Sequence, residues 1–300
     1  MMNYGFMPYG GFGWIFMLIF GCLIVWAIIA LVRGGFGNGH MCGHDHGDDM
    51  HGKDKSPLEI LKERYAKGDI NKKEFEEKKK DLENDKKLEN VKKIYSFWGR
   101  FSSLYRAQDF ITFLGRAKTI RNKAVSKIEL KRGNKVLEVA CGSGRNFRYL
   151  VEAVSKDGFI LGFDYSQEML NAAKDLAEGN AWNNIKLVQG DAARLEIIEK
   201  DFDGVVSVLG ISAIPDWEKA LNKCYDALRP NGKLVVCDAR LFTGFLKFLN
   251  PLVRLIYSKF AAWDPSKNIP EKMKEIFGNV EVENLNLGTF FIAVSVKKEK

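Results

Sequence analysis

Histidine is missing from most of this 300-residue chain, because His40, His44, His46 and His51 are the only four and all lie close together. Chemistry located further along the chain therefore has no histidine base or histidine metal ligand of its own, unless that short segment folds back. Cysteine is also scarce. The five cysteines are odd in number and widely spaced, which excludes a disulfide framework and is typical of reduced thiols.

Charged side chains are absent before Arg33. Residues 14–32 form an unbroken apolar run, which as a helix would extend about 28 Å, close to the thickness of a hydrocarbon core. The uncharged start and the length of the run argue against a cleaved signal peptide. Positive charge gathers after the run. The sequence therefore predicts a single-pass membrane protein with residues 1–33 as anchor, the N-terminus outside and the bulk of the protein in the cytoplasm.

Residues 34–55 are rich in Gly, Asp and His and have no apolar periodicity, which predicts a flexible linker. The candidate metal ligands in this linker are His40, Cys42, His44, His46 and His51. Imidazole and thiolate groups suit Zn, Cu or Ni, although their spacing matches no closed structural zinc site. A metal-binding segment and a solvated linker are both compatible with this pattern.

Residues 56–90 show the pattern of two short helices. The sequence Ser-Pro-Leu-Glu at 56–59 is a helix start with a capping box, and Gly68 ends that helix. Over residues 56–83 the segment resembles the SHOCT family, a short two-helix module. The resemblance implies an element for self-association or for binding a protein partner. A charged, solvated spacer is the alternative interpretation.

From residue 94 to 300, short apolar runs alternate with helical patterns, which is typical of βαβ units around a parallel sheet. Strands are predicted at Lys135–Ala140, Phe159–Phe163, Lys186–Val188, Asp203–Leu209 and Lys233–Cys237. The last segment, from Val280 onward, reads as an antiparallel hairpin around Gly288. The sequence thus predicts an α/β domain after the helical hairpin.

The first predicted strand runs into a glycine turn, where Gly142 and Gly144 let the backbone approach a ligand. Phe147 stands where a nicotinamide dinucleotide site would carry its third glycine. Glu138, near the end of the strand, would repel a pyrophosphate and suits an amino or sulfonium group. Asp164 and Asp191 follow the next two strands, where their carboxylates can accept hydrogen bonds from ribose hydroxyls and from an adenine amino group, respectively. Together with Glu138 they place three acidic residues at successive strand ends, which is a specific pattern.

Residues 95–297 resemble the class I methyltransferases that use S-adenosylmethionine, especially those of quinone biosynthesis and of phosphatidylethanolamine methylation. The matching motifs are EVACGSG, GFDYSQEMLNAA, QGDA and ALRPNGKLVV. The resemblance implies a doubly wound α/β fold with a mostly parallel seven-stranded sheet and a C-terminal antiparallel hairpin. It also implies S-adenosylmethionine as the cofactor, bound by Glu138, Ala140, Gly142, Gly144, Asp164, Tyr165, Met169, Asp191, Ala192 and Leu209.

The segment 243–263 is basic and amphipathic, with polar residues at spacings of three and four. Such a segment can lie in a membrane interface or simply cover the core. Together with the apolar N-terminal run, it favours a lipid membrane as partner and a small, lipid-like methyl acceptor, either a phospholipid head group or a quinone. The missing histidine mildly favours an amine or hydroxyl acceptor, because methylation of a quinol ring needs a base. The acceptor-side candidates are Tyr95, Tyr105, Asp216, Asp238 and Arg240.

Two other classes of function are compatible with parts of the sequence. The formal net charge of +8 suits anionic partners, but the Asn/Asp-Pro-Pro-Tyr-like motif of amino-directed DNA methyltransferases is absent, so no nucleic acid is expected. The second alternative is a membrane-tethered metal-responsive or scaffold protein with a noncatalytic methyltransferase fold. Intact glycine and acid motifs favour an enzyme over this alternative.

Overall fold

One seven-stranded sheet organises the part of the chain that the structure, a computed structural model, describes: residues 55–195 and 199–299. The strand order is β3-β2-β1-β4-β5-β7-β6, with β7 antiparallel to both neighbours and the other pairs parallel. The strands are β1 Lys135–Val139, β2 Phe159–Asp164, β3 Ile185–Gln189, β4 Phe202–Val208, β5 Leu228–Ala239, β6 Glu281–Leu285 and β7 Phe290–Val296. The predicted mostly parallel sheet with a C-terminal antiparallel hairpin is confirmed.

Helices cover both faces of this sheet. They are α1 Pro57–Ala66, α2 Lys72–Arg100, α3 Ser102–Thr112, α4 Ala117–Ser126, α5 Phe147–Val154, α6 Gln167–Gly179, α7 Trp217–Ala227, α8 Asn250–Phe260 and α9 Ile269–Phe277. Strand β1 shows why two layers form. Val136 packs into one apolar cluster with α4, α5 and α6, whereas Leu137 packs into the other with α7 and α9. Alternate side chains of a strand point to opposite faces, so an apolar run such as β1 needs cover on both.

The predicted helical hairpin is present as α1 and the first half of α2. The capping box forms as expected, since the Ser56 N–H donates to the Glu59 carboxylate at 2.8 Å. The rings of Tyr65 and Phe75 stack with their centroids 4.8 Å apart and hold the two helices together. Helix α2 then continues without a break to Arg100, across the predicted boundary between hairpin and methyltransferase domain.

The second half of α2 packs closely on the N-terminus of α6. A β-carbon placed on Gly99 would lie 2.7 Å from backbone and side-chain carbons of Glu168, so glycine permits this close approach. The Ser96 hydroxyl donates to the Glu168 carboxylate at 2.7 Å. Helix α2 is therefore an integral part of the α/β domain as well as of the hairpin.

The prediction of a single-pass membrane protein with a cytoplasmic catalytic domain is contradicted. Within residues 55–195 and 199–299, no helix is both long enough and apolar enough to cross a bilayer. Helix α2 has the length, with 29 residues, but its sequence is dominated by Lys, Glu and Asp, whose burial in lipid is costly. The predicted anchor, residues 1–33, and linker residues 34–54 lie outside the described residues.

Candidate active site

A cavity of about 810 Å³ lies at the carboxyl ends of β1, β2, β3 and β4. Ligands of doubly wound folds bind at this edge of the sheet. Most of the predicted cofactor residues line the cavity, namely Ala140, Gly142, Asp164, Tyr165, Asp191, Ala192 and Leu209. Glu138, Gly144 and Met169 lie behind this lining, and both Glu138 and Met169 are buried. The strand ends thus bring the predicted cofactor residues together.

The turns that border the cavity have an unusual backbone. Gly142 and Gly144 have φ angles of +55° and +74°, and a β-carbon at Gly144 would lie 2.6 Å from the Phe147 ring. Ala140 and Leu209, which follow β1 and β4, also adopt the left-handed region, with φ angles of +54° and +58°. This conformation is costly for residues with a β-carbon and is concentrated at binding sites in proteins.

Asp164 is held by the glycine turn opposite it. Its carboxylate accepts the N–H of Gly142 at 2.8 Å and the N–H of Ser166 at 2.9 Å. Burial raises the pKa of this carboxyl, while the backbone hydrogen bonds act in the other direction. The fixed oxygens keep unused acceptor capacity, which suits a diol such as that of a ribose.

Glu138 carries an unpaired oxygen deep in the structure. Its side chain is 1% exposed, and Oε1 accepts from the Asn146 amide at 2.6 Å, whereas Oε2 has no partner among the described residues. Burial raises the pKa of Glu138 to about 8. A buried carboxyl oxygen without a partner is costly and is stabilised by a cationic ligand group.

A buried arginine supplies the complementary charge beside Glu138. Arg121 donates to Asn146 at 3.1 Å and to Asp109 at 2.7 Å, and its Nε has no partner among the described residues. Asp109 also accepts from Arg145 at 2.5 Å. Sequence reasoning missed Arg121, Asp109 and Asn146. Only Arg145 and Asn146 follow the glycine turn directly, so helix packing, not a local motif, brings Arg121 and Asp109 to the site.

Helix α2 covers one side of the cavity. Leu88, Val91, Lys92 and Tyr95 line the cavity from this helix. The Lys92 ammonium lies 5.9 Å from the centroid of the Tyr165 ring. Nearer the start of the same helix, Asp85 pairs with Arg194 at 3.3 Å. The second helix of the hairpin is therefore a wall of the binding site.

A second cavity of about 490 Å³ adjoins the first and is enclosed mainly by α2, α3 and the segment around α8. The two cavities share Tyr95, Tyr105 and Leu209. The other aromatic side chains in the wall of the second cavity are Trp98, Tyr257, Phe260 and Trp263. The structure thus places the predicted acceptor-side residues Tyr95 and Tyr105 between the two cavities.

Hydrogen bonds fix these aromatic walls. The Tyr95 hydroxyl donates to the Ala261 carbonyl at 3.0 Å, and the Trp98 indole N–H donates to the Phe260 carbonyl at 2.7 Å. Burial raises the pKa of Tyr105 to about 12 and also raises that of Tyr95. Both phenols are therefore neutral donors at physiological pH.

Asp238 lies directly behind the second cavity. It is fully buried and accepts the Ser212 hydroxyl at 2.7 Å and the Ser212 N–H at 3.0 Å, while Ser212 itself lines the cavity. Lys267 donates from the other side to the carbonyls of Ser212 and Ile214, at 2.7 Å each. Burial raises the pKa of Asp238 and lowers that of Lys267 to about 8.

Two predicted acceptor-side residues lie elsewhere. Asp216 pairs with Lys219 at 2.8 Å and lines a separate surface hollow. Arg240 lies 4.5 Å from the centroid of the Phe291 ring and donates to Asn284 at 2.9 Å. Neither residue lines the two adjoining cavities.

Sequence comparisons agree with this geometry. Residues 136–232 match the family described as "Methyltransferase domain", and residues 56–83 match the family described as "Short C-terminal domain". The chain is an S-adenosylmethionine-dependent methyltransferase. Among its relatives, the demethylmenaquinone methyltransferase of Oceanobacillus iheyensis is 26% identical over 68% of this chain and 89% of the relative. That of Lactobacillus johnsonii is 27% identical over 69% of this chain and 93% of the relative.

Solved structures share the fold of this methyltransferase. The complex between the Haloferax volcanii Trm112 methyltransferase activator and the putative methyltransferase matches with a TM-score of 0.54, 15% identity, and coverage of 70% of this chain and 98% of that chain. Haemonchus contortus phosphoethanolamine N-methyltransferase 2, solved with phosphomonomethylethanolamine and S-adenosylhomocysteine, matches with a TM-score of 0.52 and 19% identity, covering 59% and 52%. At these identities the likeness concerns the fold alone.

The residues in the lining of the first cavity, together with Glu138 directly behind it, fit S-adenosylmethionine. The unpaired oxygen of Glu138 suits its amino group, and the unpaired Nε of Arg121 suits its carboxylate. Asp164 would hold the ribose and Asp191 the adenine amino group, as the strand-end positions predict. These four side chains together match a nucleoside that carries an amino acid at one end.

The metal prediction falls on residues that the structure does not describe, since His40, Cys42, His44, His46 and His51 precede residue 55. Within residues 55–195 and 199–299, no group of three or more His, Cys, Asp or Glu side chains is arranged to hold a metal ion. The cysteines in this part of the methyltransferase, Cys141, Cys224 and Cys237, are buried and free.

Proposed function

We propose that this methyltransferase methylates a small, lipid-like aromatic acceptor of the quinone class, bound in its reduced form in the second cavity. The observation that carries the proposal is the aromatic cavity that shares Tyr95, Tyr105 and Leu209 with the cofactor cavity. Flat aromatic walls favour a flat ring, which can stack or lie edge-on against them. The relatives named demethylmenaquinone methyltransferases support the same class of acceptor.

The charges around the second cavity favour a quinol over a phospholipid head group. No Lys or Arg side chain lines this cavity among the described residues, so a phosphate would enter without a cationic partner. Its charged lining residue, Asp109, is already paired with Arg121 and Arg145. An uncharged ring with hydroxyl groups matches the polar groups that remain, including Gln108, Thr112 and Ser212.

The protein groups that act on such an acceptor are Ser212 and Asp238. When bound, S-adenosylmethionine supplies a methyl group on a positively charged sulfur, so the transfer depends mainly on alignment of the acceptor. An acceptor hydroxyl can donate to Ser212 Oγ, which in turn donates to Asp238 at 2.7 Å. Burial raises the pKa of Asp238, which makes it a better proton acceptor than an exposed aspartate. This pair takes the place of the histidine base that the domain lacks.

Hydrogen bonds join the helices that form the walls of the second cavity. Tyr95 and Trp98 tie α2 to the backbone after α8, and Thr112 and Tyr257 share a hydrogen bond at 3.2 Å that joins α3 to α8. These contacts join the elements around the second cavity, and a ring held between them would present a carbon to the adjoining cofactor cavity. Alignment of this kind provides most of the catalytic effect that the proposal requires.

The test uses the purified full-length protein with methyl-labelled S-adenosylmethionine. One reaction contains a chemically reduced demethylmenaquinone, and a parallel reaction contains phosphatidylethanolamine. We expect label in the quinone product and none in the phospholipid. Label in phosphatidylethanolamine alone, or no label in either lipid from protein that binds the cofactor, would contradict the proposal.

A further inference from the structure

The outer wall of the second cavity is apolar on both of its sides. This wall consists of residues 243–260, which form a 3₁₀ turn, Gly244–Leu249, followed by α8. On the inner side, Tyr257 and Phe260 line the cavity. On the outer side, large side chains project into solvent: Phe245 is 82% exposed, Phe248 66%, Leu255 55% and Leu252 46%.

This exposure is unusual for a helix that covers a core. Such a helix buries one apolar face and presents polar residues on the other. Single exposed apolar residues are common, but a contiguous group of large ones marks a binding surface. Phe245 and Phe248 lie next to each other, with ring centroids 5.8 Å apart, and no described residue buries them. We call residues 243–260 with their four exposed apolar side chains the outer face.

The charges of the outer face have one sign. No Asp or Glu occurs between Asp238 and Asp264. Lys247, Arg254 and Lys259 are exposed among the apolar side chains of the outer face. Aromatic and aliphatic groups flanked by Lys and Arg are the combination that enters the headgroup region of an anionic bilayer.

We propose that the outer face docks on the surface of an anionic lipid bilayer and places the second cavity beside the lipid in which the acceptor is dissolved. The contact is peripheral and requires no helix that crosses the bilayer. It rests on the proposed function for the nature of the acceptor. Since Tyr257 and Phe260 sit on the inner side of the same short segment, the docked surface and the acceptor cavity are separated by a single helix.

The neighbouring wall supports the same orientation. Helix α3 is joined to α8 through the hydrogen bond between Thr112 and Tyr257. Phe110 on α3 and Leu114 just beyond it are 55% and 49% exposed. Both walls of the acceptor cavity therefore carry large apolar side chains in contact with solvent, whereas the sheet edge at β6 carries mainly polar ones.

The experiment compares two forms of the acceptor with the full-length protein. One is a long-chain reduced demethylmenaquinone in vesicles of phosphatidylglycerol and phosphatidylcholine; the other is a short-chain, water-soluble analogue without vesicles. The variant is Phe245→Ser with Phe248→Ser, and the matched control is Leu176→Ser with Val282→Ser, two exposed apolar residues outside the outer face. We expect kcat/KM for the acceptor in vesicles to fall about tenfold in the Phe245→Ser, Phe248→Ser variant, because insertion of apolar side chains drives binding to the bilayer. The control variant should keep the wild-type value, and neither variant should change kcat/KM for the soluble analogue.

Charge provides a second readout. Lys247→Glu with Arg254→Glu should remove the dependence of vesicle turnover on the phosphatidylglycerol content, while turnover of the soluble analogue stays the same. Unchanged vesicle turnover in both double variants would overturn the proposal. An equal loss with both acceptors would also overturn it, since the outer face would then act through the shape of the cavity.

Two further outcomes separate this inference from the proposed function. If the wild-type protein methylates neither quinone, the proposed function fails, and sedimentation with the same vesicles still tests docking. Loss of sedimentation in the Phe245→Ser, Phe248→Ser variant, with the control still bound, would support docking. Light scattering that shows a dimer broken by this variant, with vesicle binding intact, would assign the outer face to a second copy of the chain and overturn the proposal.

Discussion

The two adjoining cavities are built in different ways. The cofactor cavity takes its central residues from turns that follow parallel strands, such as Gly142 after β1, Asp164 at the end of β2 and Leu209 after β4. The second cavity is enclosed by the consecutive helices α2 and α3 and by α8, which lies far along the chain from both. Parallel strands place their carboxyl ends at one edge whatever the details of packing, whereas helices meet only through their packing. The two halves of the site should therefore respond differently to substitution.

The largest expected effect concerns the cofactor cavity. Asp164→Ala should weaken binding of S-adenosylmethionine by about a thousandfold, because it removes the ribose acceptor and frees the N–H groups of Gly142 and Ser166. Isothermal titration calorimetry measures this change. Asp175→Ala, an exposed carboxylate on α6, is the matched control. Affinity within threefold of wild type would remove Asp164 from the ribose site.

The next effect should fall on the acceptor side alone. Asp238→Asn should lower kcat about a hundredfold, since an amide cannot hold the proton received through Ser212. Affinity for S-adenosylmethionine should stay unchanged. Asp216→Asn is the control, because Asp216 was predicted beside the acceptor but lines a separate hollow. A parallel loss of cofactor affinity in Asp238→Asn would mean that the two cavities are not independent.

The residues at the strand ends of the cofactor cavity could be predicted from the sequence, because their signal is local. A strand, a glycine turn and an acid follow each other within a few residues, as at Glu138, Gly142 and Asp164. Arg121 and Asp109 carry no such signal, because each is an ordinary polar residue in a helix until α3 and α4 bring them against the glycine turn. Asp216 and Arg240 were predicted on the acceptor side from their positions at or beyond strand ends, but they line neither of the two adjoining cavities.

The third prediction uses pH to test Glu138. Without ligand, the Glu138 carboxyl has a pKa of about 8 and is protonated below that pH. The cationic amino group of the bound cofactor would favour the ionised carboxylate. Cofactor binding should therefore release a proton, and affinity should rise with pH between about 5.5 and 7.5, by at most about tenfold per pH unit. Calorimetry across this range checks the slope. Glu138→Gln should bind more weakly and with no such slope; a wild-type affinity that is flat with pH would contradict the assignment.

The smallest effect concerns stability. Burial lowers the pKa of Lys267 to about 8, so the charged ammonium is less favourable in the folded state than in the unfolded one. The folded state loses this proton near pH 8 and the unfolded state near its ordinary pKa, so this residue's contribution to stability rises between those values. Relative to Lys267→Met, the wild-type free energy of unfolding should increase by about 2 kcal/mol from pH 8 to pH 10. Denaturant titrations measure the difference, and a decrease would contradict the burial argument.

The unbroken course of α2 has a consequence for how this protein can be rearranged. As one helix of 29 residues it is about 43 Å long, and it carries the hairpin contact at Phe75 as well as the cavity wall at Tyr95. Modules joined by a loop can be exchanged or deleted separately, but the hairpin and the α/β domain share one continuous helix. Deletion of the hairpin would expose or unwind the helix that forms one wall of the cofactor cavity. A change in the hairpin can therefore be transmitted along this helix to the wall of the cofactor cavity.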